Sequence, residues 1–227
     1  MDEMESATSE ERSERPELAR LCREIGAVFA SEALERASAR WATGLSAVDA
    51  SLGGGLPSGA LAEAVEAVPG AGGTLLQHRL LEAVRSAGAY GGLVDGADGF
   101  APEEAPAATL RHLYWARCRS CDEALRVADV LAADGNLAVL MLDLRGNAPG
   151  EARRLAPSRW YRLQRAVRRA GAAALALTPV PLVPAARARL RLSGVFGAEA
   201  LDQPRRFLAE RVEAAPLHAS GASKRSE

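Results

Sequence analysis

Three cysteines, an odd number, do not make a disulfide scaffold in a chain of 227 residues. Cys118 and Cys121 form a CxxC, a spacing used by redox pairs and by half of many zinc sites. Cys22, His78, His112 and His218 offer no paired spacing that would complete four ligands, so the reading is two cysteines at a strand-to-helix junction and no metal. Lysine is scarce and aromatic residues make up only 4% of the chain, while alanine and arginine abound, a compositional bias that says little about function. No stretch approaches the roughly 20 apolar residues that cross a bilayer. The N-terminus is acidic rather than basic and then apolar, unlike a signal peptide, so the expected location is cytoplasmic. The formal net charge of −1 provides no global field for a polyanion, and any nucleic-acid contact must come from a local patch.

What is present organises into one domain with tails. Residues 1–16 are acidic and serine-rich with almost no large apolar side chains, which predicts a disordered tail. Over 17–39 the apolar residues Leu18, Leu21, Ile25, Val28, Phe29 and Leu34 recur at three- and four-residue steps behind Pro16, which predicts an amphipathic helix. From 40 to 215 short apolar runs alternate with helical segments. Strands are predicted at Leu61 to Val65, Gly91 to Val94, Leu110 to Ala116, Leu137 to Leu142 and Ala173 to Leu177. Helices are predicted at Thr74 to Ala87, at Asp122 to Ala133 with Asp122 as N-cap, and at Ser158 to Arg169. Such alternation builds an α/β fold with a mostly parallel sheet covered on both faces. The runs Arg187 to Leu192 and Arg206 to Val212 read as two antiparallel strands extending one edge, and 216–227 as a second disordered tail.

The stretch Thr43 to Glu63, TGLSAVDASLGGGLPSGALAE, resembles the entry to the RecA core, where such a segment leads into the strand before a phosphate loop. GGLVDGADGFAP at Gly91 to Pro102 is similar to the second core strand and its acidic exit, and Leu110 to Asp143 to the next unit. Together they span Thr43 to Thr178 in order. A short RecA relative with an N-terminal helix and a degraded nucleotide site resembles the ImuA family, grouped with the SulA-like proteins of the bacterial SOS response. That resemblance implies a RecA-like (P-loop NTPase type) fold and a role in mutagenic translesion DNA synthesis beside an ImuB protein and an error-prone polymerase.

A P-loop requires GxxxxGK[ST]: glycines that let backbone N–H groups wrap phosphates, a lysine for their charge and a hydroxyl for Mg²⁺. Here the segment runs Ala67 to Thr74, AVPGAGGT, with Thr74 at the hydroxyl position, Gly72 at the second glycine and Gly73 where lysine belongs. Ala67 replaces the first glycine, and no lysine or arginine lies in the loop. By the resemblance, Ala97 stands where an acid would orient water and a residue near Pro179 where a glutamine would read the γ-phosphate, while Asp143 keeps the carboxylate of the fourth strand. Oriented hydrolysis needs all of these groups, so no catalysis and no cofactor are expected. Gly70, Gly72 and Gly73 then serve as a tight turn, one that still offers a helix N-terminus to an anion.

Arginines crowd the region from Arg145 to Arg191, with Glu151 the only acid. Arg153, Arg154, Arg159, Arg162, Arg165 and Arg169 are the candidate contacts for a partner or, less favoured, for DNA; Arg162, Arg165 and Arg169 share one helical face. Leu21, Ile25 and Phe29 are the candidate contacts of the N-terminal helix, with its own core, another copy or a RecA-like surface as the alternatives. The leading expectation is a non-catalytic accessory protein that binds ImuB, RecA or both. The competing readings are a RecA-type DNA-dependent ATPase or recombination mediator and a SulA-like inhibitor of cell division.

Overall fold

Residues 139–142 and 173–177 present no polar side chain to water on either face, a pattern that a strand sustains only when both sides of its sheet are covered. The structure, a computed structural model, describes residues 39–194, 196–197, 200 and 202–217. The predicted acidic tail 1–16, the N-terminal helix with Leu21, Ile25 and Phe29, and nearly all of the C-terminal tail lie outside the described residues.

A short antiparallel ribbon, β1 (Arg40–Trp41) with β2 (Leu56–Pro57), brackets helix α1 (Ser46–Ser51). The main sheet takes β3 (Ala60–Val65), β4 (Gly91–Asp95), β5 (Leu113–Arg117), β6 (Val139–Asp143), β7 (Ala173–Thr178), β8 (Ala188–Leu192) and β9 (Ala214–Pro216). Their order is β5-β4-β6-β7-β3-β8-β9, all parallel except for the antiparallel β8–β9 pair at one edge. The helices between them are α2 (Gly73–Ser86), α3 (Ala107–Leu110), α4 (Cys121–Asp134), α5 (Pro149–Arg153), α6 (Pro157–Ala170) and α7 (Arg205–Ala209). The chain is therefore α/β, with a seven-stranded, mostly parallel sheet flanked by helices.

Two cores follow from the two-residue period of the strands. Val139, Met141, Ala173, Leu175 and Leu177 face one layer with Leu76, Leu80 and Val84 of α2 and Leu45 and Val48 around α1. Leu140, Leu142, Ala174 and Ala176 face the other, packed on Leu125 and Ala128 of α4 and Trp160, Leu163 and Val167 of α6. Inside the sheet, fully buried Glu63 accepts hydrogen bonds from Thr178 Oγ1 at 2.9 Å and from the Leu182 N–H at 2.6 Å, and it pairs with Arg189. This carboxylate ties β3 to β7 and β8, and its charge is compensated as a buried ion requires.

The TG…D…GGGLP entry segment has a local explanation. Asp49 Oδ1 accepts from the Thr43 N–H at 2.8 Å and from Thr43 Oγ1 at 2.7 Å, closing the chain over α1. Gly55 has a φ of 122°, and a Cβ there would overlap the Trp41 carbonyl.

Three expectations are corrected. The run Arg206 to Val212 is not a strand: Arg205–Ala209 form α7, and the antiparallel partner of β8 is Ala214–Pro216. A second correction concerns the cap of α4, which is Ser120; its Oγ accepts the Glu123 N–H at 3.2 Å, while the Glu123 carboxylate accepts the Arg119 N–H at 2.8 Å. Asp122 instead pairs with Arg126 and Arg159. Leu110 ends α3, so the strand expected at Leu110 to Ala116 begins at Leu113. Among the described residues no helix is long and apolar enough to cross a membrane.

Candidate functional site

The carboxyl end of β3 feeds a loop that turns into α2, and the end of β6 lies two strands away in the same direction. In open α/β sheets, ligands bind at such strand ends. Gly70 and Gly72 take φ values of 84° and 117°, which only glycine adopts at little cost, and Gly72 is the N-cap of α2. A Cβ at Gly70 would meet open space, whereas at Gly72 it would press on Val212 at 3.0 Å. The Gly194 N–H bonds to the Ala71 carbonyl at 3.2 Å, so the segment around β8–β9 packs onto the loop from outside.

The inner side of the loop is filled by the chain itself. Glu66, on the threshold of the loop, accepts the Gly73 N–H at 3.2 Å through Oε1, so a carboxylate takes the helix N-terminus that a phosphate would use. Arg145, two residues past the end of β6, donates from Nη1 to Glu66 Oε2 at 2.8 Å and to Thr74 Oγ1 at 3.3 Å. Its Nε and Nη2 grip Asp143 at 3.0 and 2.6 Å in a two-point fork, and Nη2 reaches Gln77 Oε1 at 3.4 Å. Only 17% of the Arg145 side chain and 4% of that of Glu66 remain exposed, which places the pair out of bulk water. Burial alone would lower the Arg145 pKa, but the hydrogen bonds to Asp143 and the charges of Asp143 and Glu66 outweigh it and raise it above its ordinary value.

The Gly73 position now has a steric cause. A Cβ at this residue would overlap Arg145 Nη1 and Glu66 Oε2, so the glycine at the lysine position is what lets the two side chains meet. One guanidinium faces two carboxylates. A nucleotide phosphate would meet an occupied helix terminus, repulsion from Glu66 and Asp143, and a Thr74 hydroxyl already bonded to Arg145. These residues do not fit an ATP–Mg²⁺ group. The neighbouring acids are also engaged: Asp95 accepts N–H bonds from Ala97, Gly99 and Phe100, and exposed Asp98 pairs with Arg117 at 3.7 Å. Sequence reading found Gly70, Gly72, Gly73, Thr74 and Asp143 but missed Glu66, Gln77 and the role of Arg145. The cation comes from a residue 79 positions beyond Glu66, and only the parallel register of the strands shows that it reaches the loop.

The arginine segment divides into two groups. Arg159 and Arg162 are engaged with α4, through Asp122 and Asp129, so they bind helix to helix. Arg153 and Arg154, at the end of α5, and Arg165 and Arg169 on α6 are exposed and make no ion pair among the described residues. Of the three arginines expected on one face of α6, Arg162 is the one engaged in an ion pair among the described residues.

Cys118 and Cys121 are both buried free thiols. Burial, then the charge of Glu123, raises the Cys118 pKa; burial and the nearby Glu151 push Cys121 up to about 12. Such thiols carry little thiolate, which is the reactive form, and they cap the start of α4 as packing groups. Among the described residues no cluster of His, Cys, Asp or Glu is arranged to hold a metal ion. The chain matches no protein-family profile and no curated protein.

Proposed function

We propose that this chain is a RecA-like protein that has exchanged nucleotide chemistry for binding, acting as a non-catalytic accessory factor of SOS-linked translesion synthesis through contacts with an ImuB-type protein, with RecA, or with both. The observation that carries the reading is the Glu66–Arg145–Asp143 network, which fills the loop where a nucleotide would be held. An ATPase positions its groups in advance around the transferring phosphate. Here the same positions are spent on internal bonds that stabilise the fold. Support for the RecA-like part comes from the β3–loop–α2 unit, with acid-ended β6 two strands away and an antiparallel strand closing one edge. The pathway and the partners rest on the resemblance of the Thr43 to Thr178 segments.

Calorimetric titration of the purified full-length chain with ATP–Mg²⁺, and phosphate release with and without single-stranded DNA, are expected to show neither binding nor turnover. Capture of RecA-type or ImuB-type proteins by the immobilised chain is expected to succeed without added nucleotide. Micromolar ATP affinity, or turnover abolished by Thr74→Ala, would overturn the non-catalytic reading. Failure to capture either protein would overturn the assignment to this pathway.

A further inference from the structure

We propose that the outer face of α6, together with Arg187, is a binding site for the backbone of single-stranded nucleic acid. This goes beyond the protein–protein reading and does not depend on it. On α6, Tyr161, Arg165, Arg168 and Arg169 are all exposed and recur at four- and three-residue steps, so they form one ridge along the helix. The opposite face is committed to the core by Trp160, Leu163 and Val167, which fixes which side looks outward.

Arg187 joins this ridge through the sheet. Its N–H bonds to the Leu61 carbonyl at 2.8 Å, while the Leu61 N–H bonds to Gln164 Oε1 at 2.7 Å, on the residue beside Arg165. A Cβ built on Gly59, the residue before β3, would stand 3.7 Å from Arg168 Cα, so the backbone of α6 passes close to the start of that strand. These contacts bring the backbone of Arg187 and the last turns of α6 together at the start of β3. On α4, Asp122 and Asp129 are already paired with Arg159 and Arg162, exposed Asp134 at its end accepts from Asn136 Nδ2 at 2.8 Å, and buried Glu63 is paired with Arg189. Arg168 and Arg169 also favour the carboxyl end of the helix dipole, a structural benefit that does not account for Arg165 or Arg187.

The occupant is chosen by what the ridge offers. Arginine forks suit phosphate oxygens. Tyr161, 48% exposed one turn before Arg165, adds an aromatic face that can stack on a base. An acidic peptide has use for the arginines but not for the ring. The ridge ends at the amino ends of the strands, away from the Arg145–Glu66 network, so its occupancy requires no nucleotide.

The test is fluorescence anisotropy of a labelled oligothymidylate with the full-length chain across a salt series. Binding is expected at low salt, with log affinity falling against log salt at roughly −0.7 for each phosphate neutralised. The triple variant Arg165→Gln, Arg168→Gln, Arg187→Gln is expected to bind about tenfold or more weakly with a shallower slope, at an unchanged melting temperature. Tyr161→Ala should weaken the single strand and leave duplex binding as it was, a readout that does not depend on how the triple variant folds. No binding by the parent chain at low salt would overturn the proposal, as would full binding by the triple variant. Displacement of the oligonucleotide by polyglutamate at matched charge concentration would also overturn it and assign the ridge to an acidic protein.

Discussion

Arg145 Nη1 lies 2.8 Å from Glu66 Oε2, an ion pair that joins the exit of β6 to the threshold of the glycine loop. Its second partner, Asp143, is held at 2.6 Å by Nη2, so one guanidinium spans the two strand ends.

Replacing Arg145 by alanine is expected to destabilise the fold by about 3 to 5 kcal/mol, since it leaves two largely buried carboxylates without their cation. Arg145→Lys should fall between, because an ammonium restores the charge but not the fork on Asp143. Urea unfolding followed by circular dichroism measures both; equal stability of Arg145→Ala and the parent chain would show that the network is not structural.

Gly73→Lys restores the residue type of a P-loop and is nevertheless expected not to bind ATP. The new Cβ would overlap Arg145 and Glu66, at a cost of about 1 to 3 kcal/mol for overpacking. Thermal melting and ATP titration of this variant test both halves, and nucleotide affinity gained by the single change would contradict the steric argument.

His78 predicts a pH dependence. Burial, then the charge of Arg205, lowers its pKa below 6.5, outweighing Glu104, which lies 4.0 Å away, and Glu82. The unfolded chain therefore takes up this proton first as pH falls, and the contribution of neutral His78 is present above about 6.5 and lost below it. Denaturation midpoints of the parent chain should drop on acidification more than those of His78→Gln. Identical pH profiles would remove His78 from the account.

Arg162→Glu should lower stability by on the order of 1 kcal/mol, because it sets a second carboxylate against Asp129, which is only 13% exposed. Arg165→Glu, with no ion-pair partner on the neighbouring helix among the described residues, should change stability by less than about 0.5 kcal/mol. Melting the two variants side by side decides; equal costs would show that the Arg162–Asp129 pair adds nothing to stability.

Strands and helices were legible in the sequence to within a few residues because the apolar periods of β3, β4, β6 and β7 and of α2, α4 and α6 are unbroken. The C-terminal edge was harder. Arg206, Leu208 and Val212 suit either a strand or a helix, and Pro204 at the head of α7 settles the choice by fixing its first turn. The degraded loop could be read directly, since Gly73 stands where lysine is needed. What replaced the lysine could not, because Glu66 and Arg145 follow different strands and look unremarkable in the linear chain. The partner of Arg162 was hidden for a related reason: helical spacing gives its angle around α6 but not which neighbour carries Asp129.

The Glu66–Arg145 pair also bears on regulation. A ligand shifts a conformational equilibrium only through differential affinity for the two states. Under the proposed function, with the loop's own side chains as its ligand, changes in cellular ATP or ADP would have no purchase on this domain. On that reading, control of its activity would fall to how much of the chain is made and to which partners are present, and the damage signal would act through synthesis rather than through a nucleotide cycle.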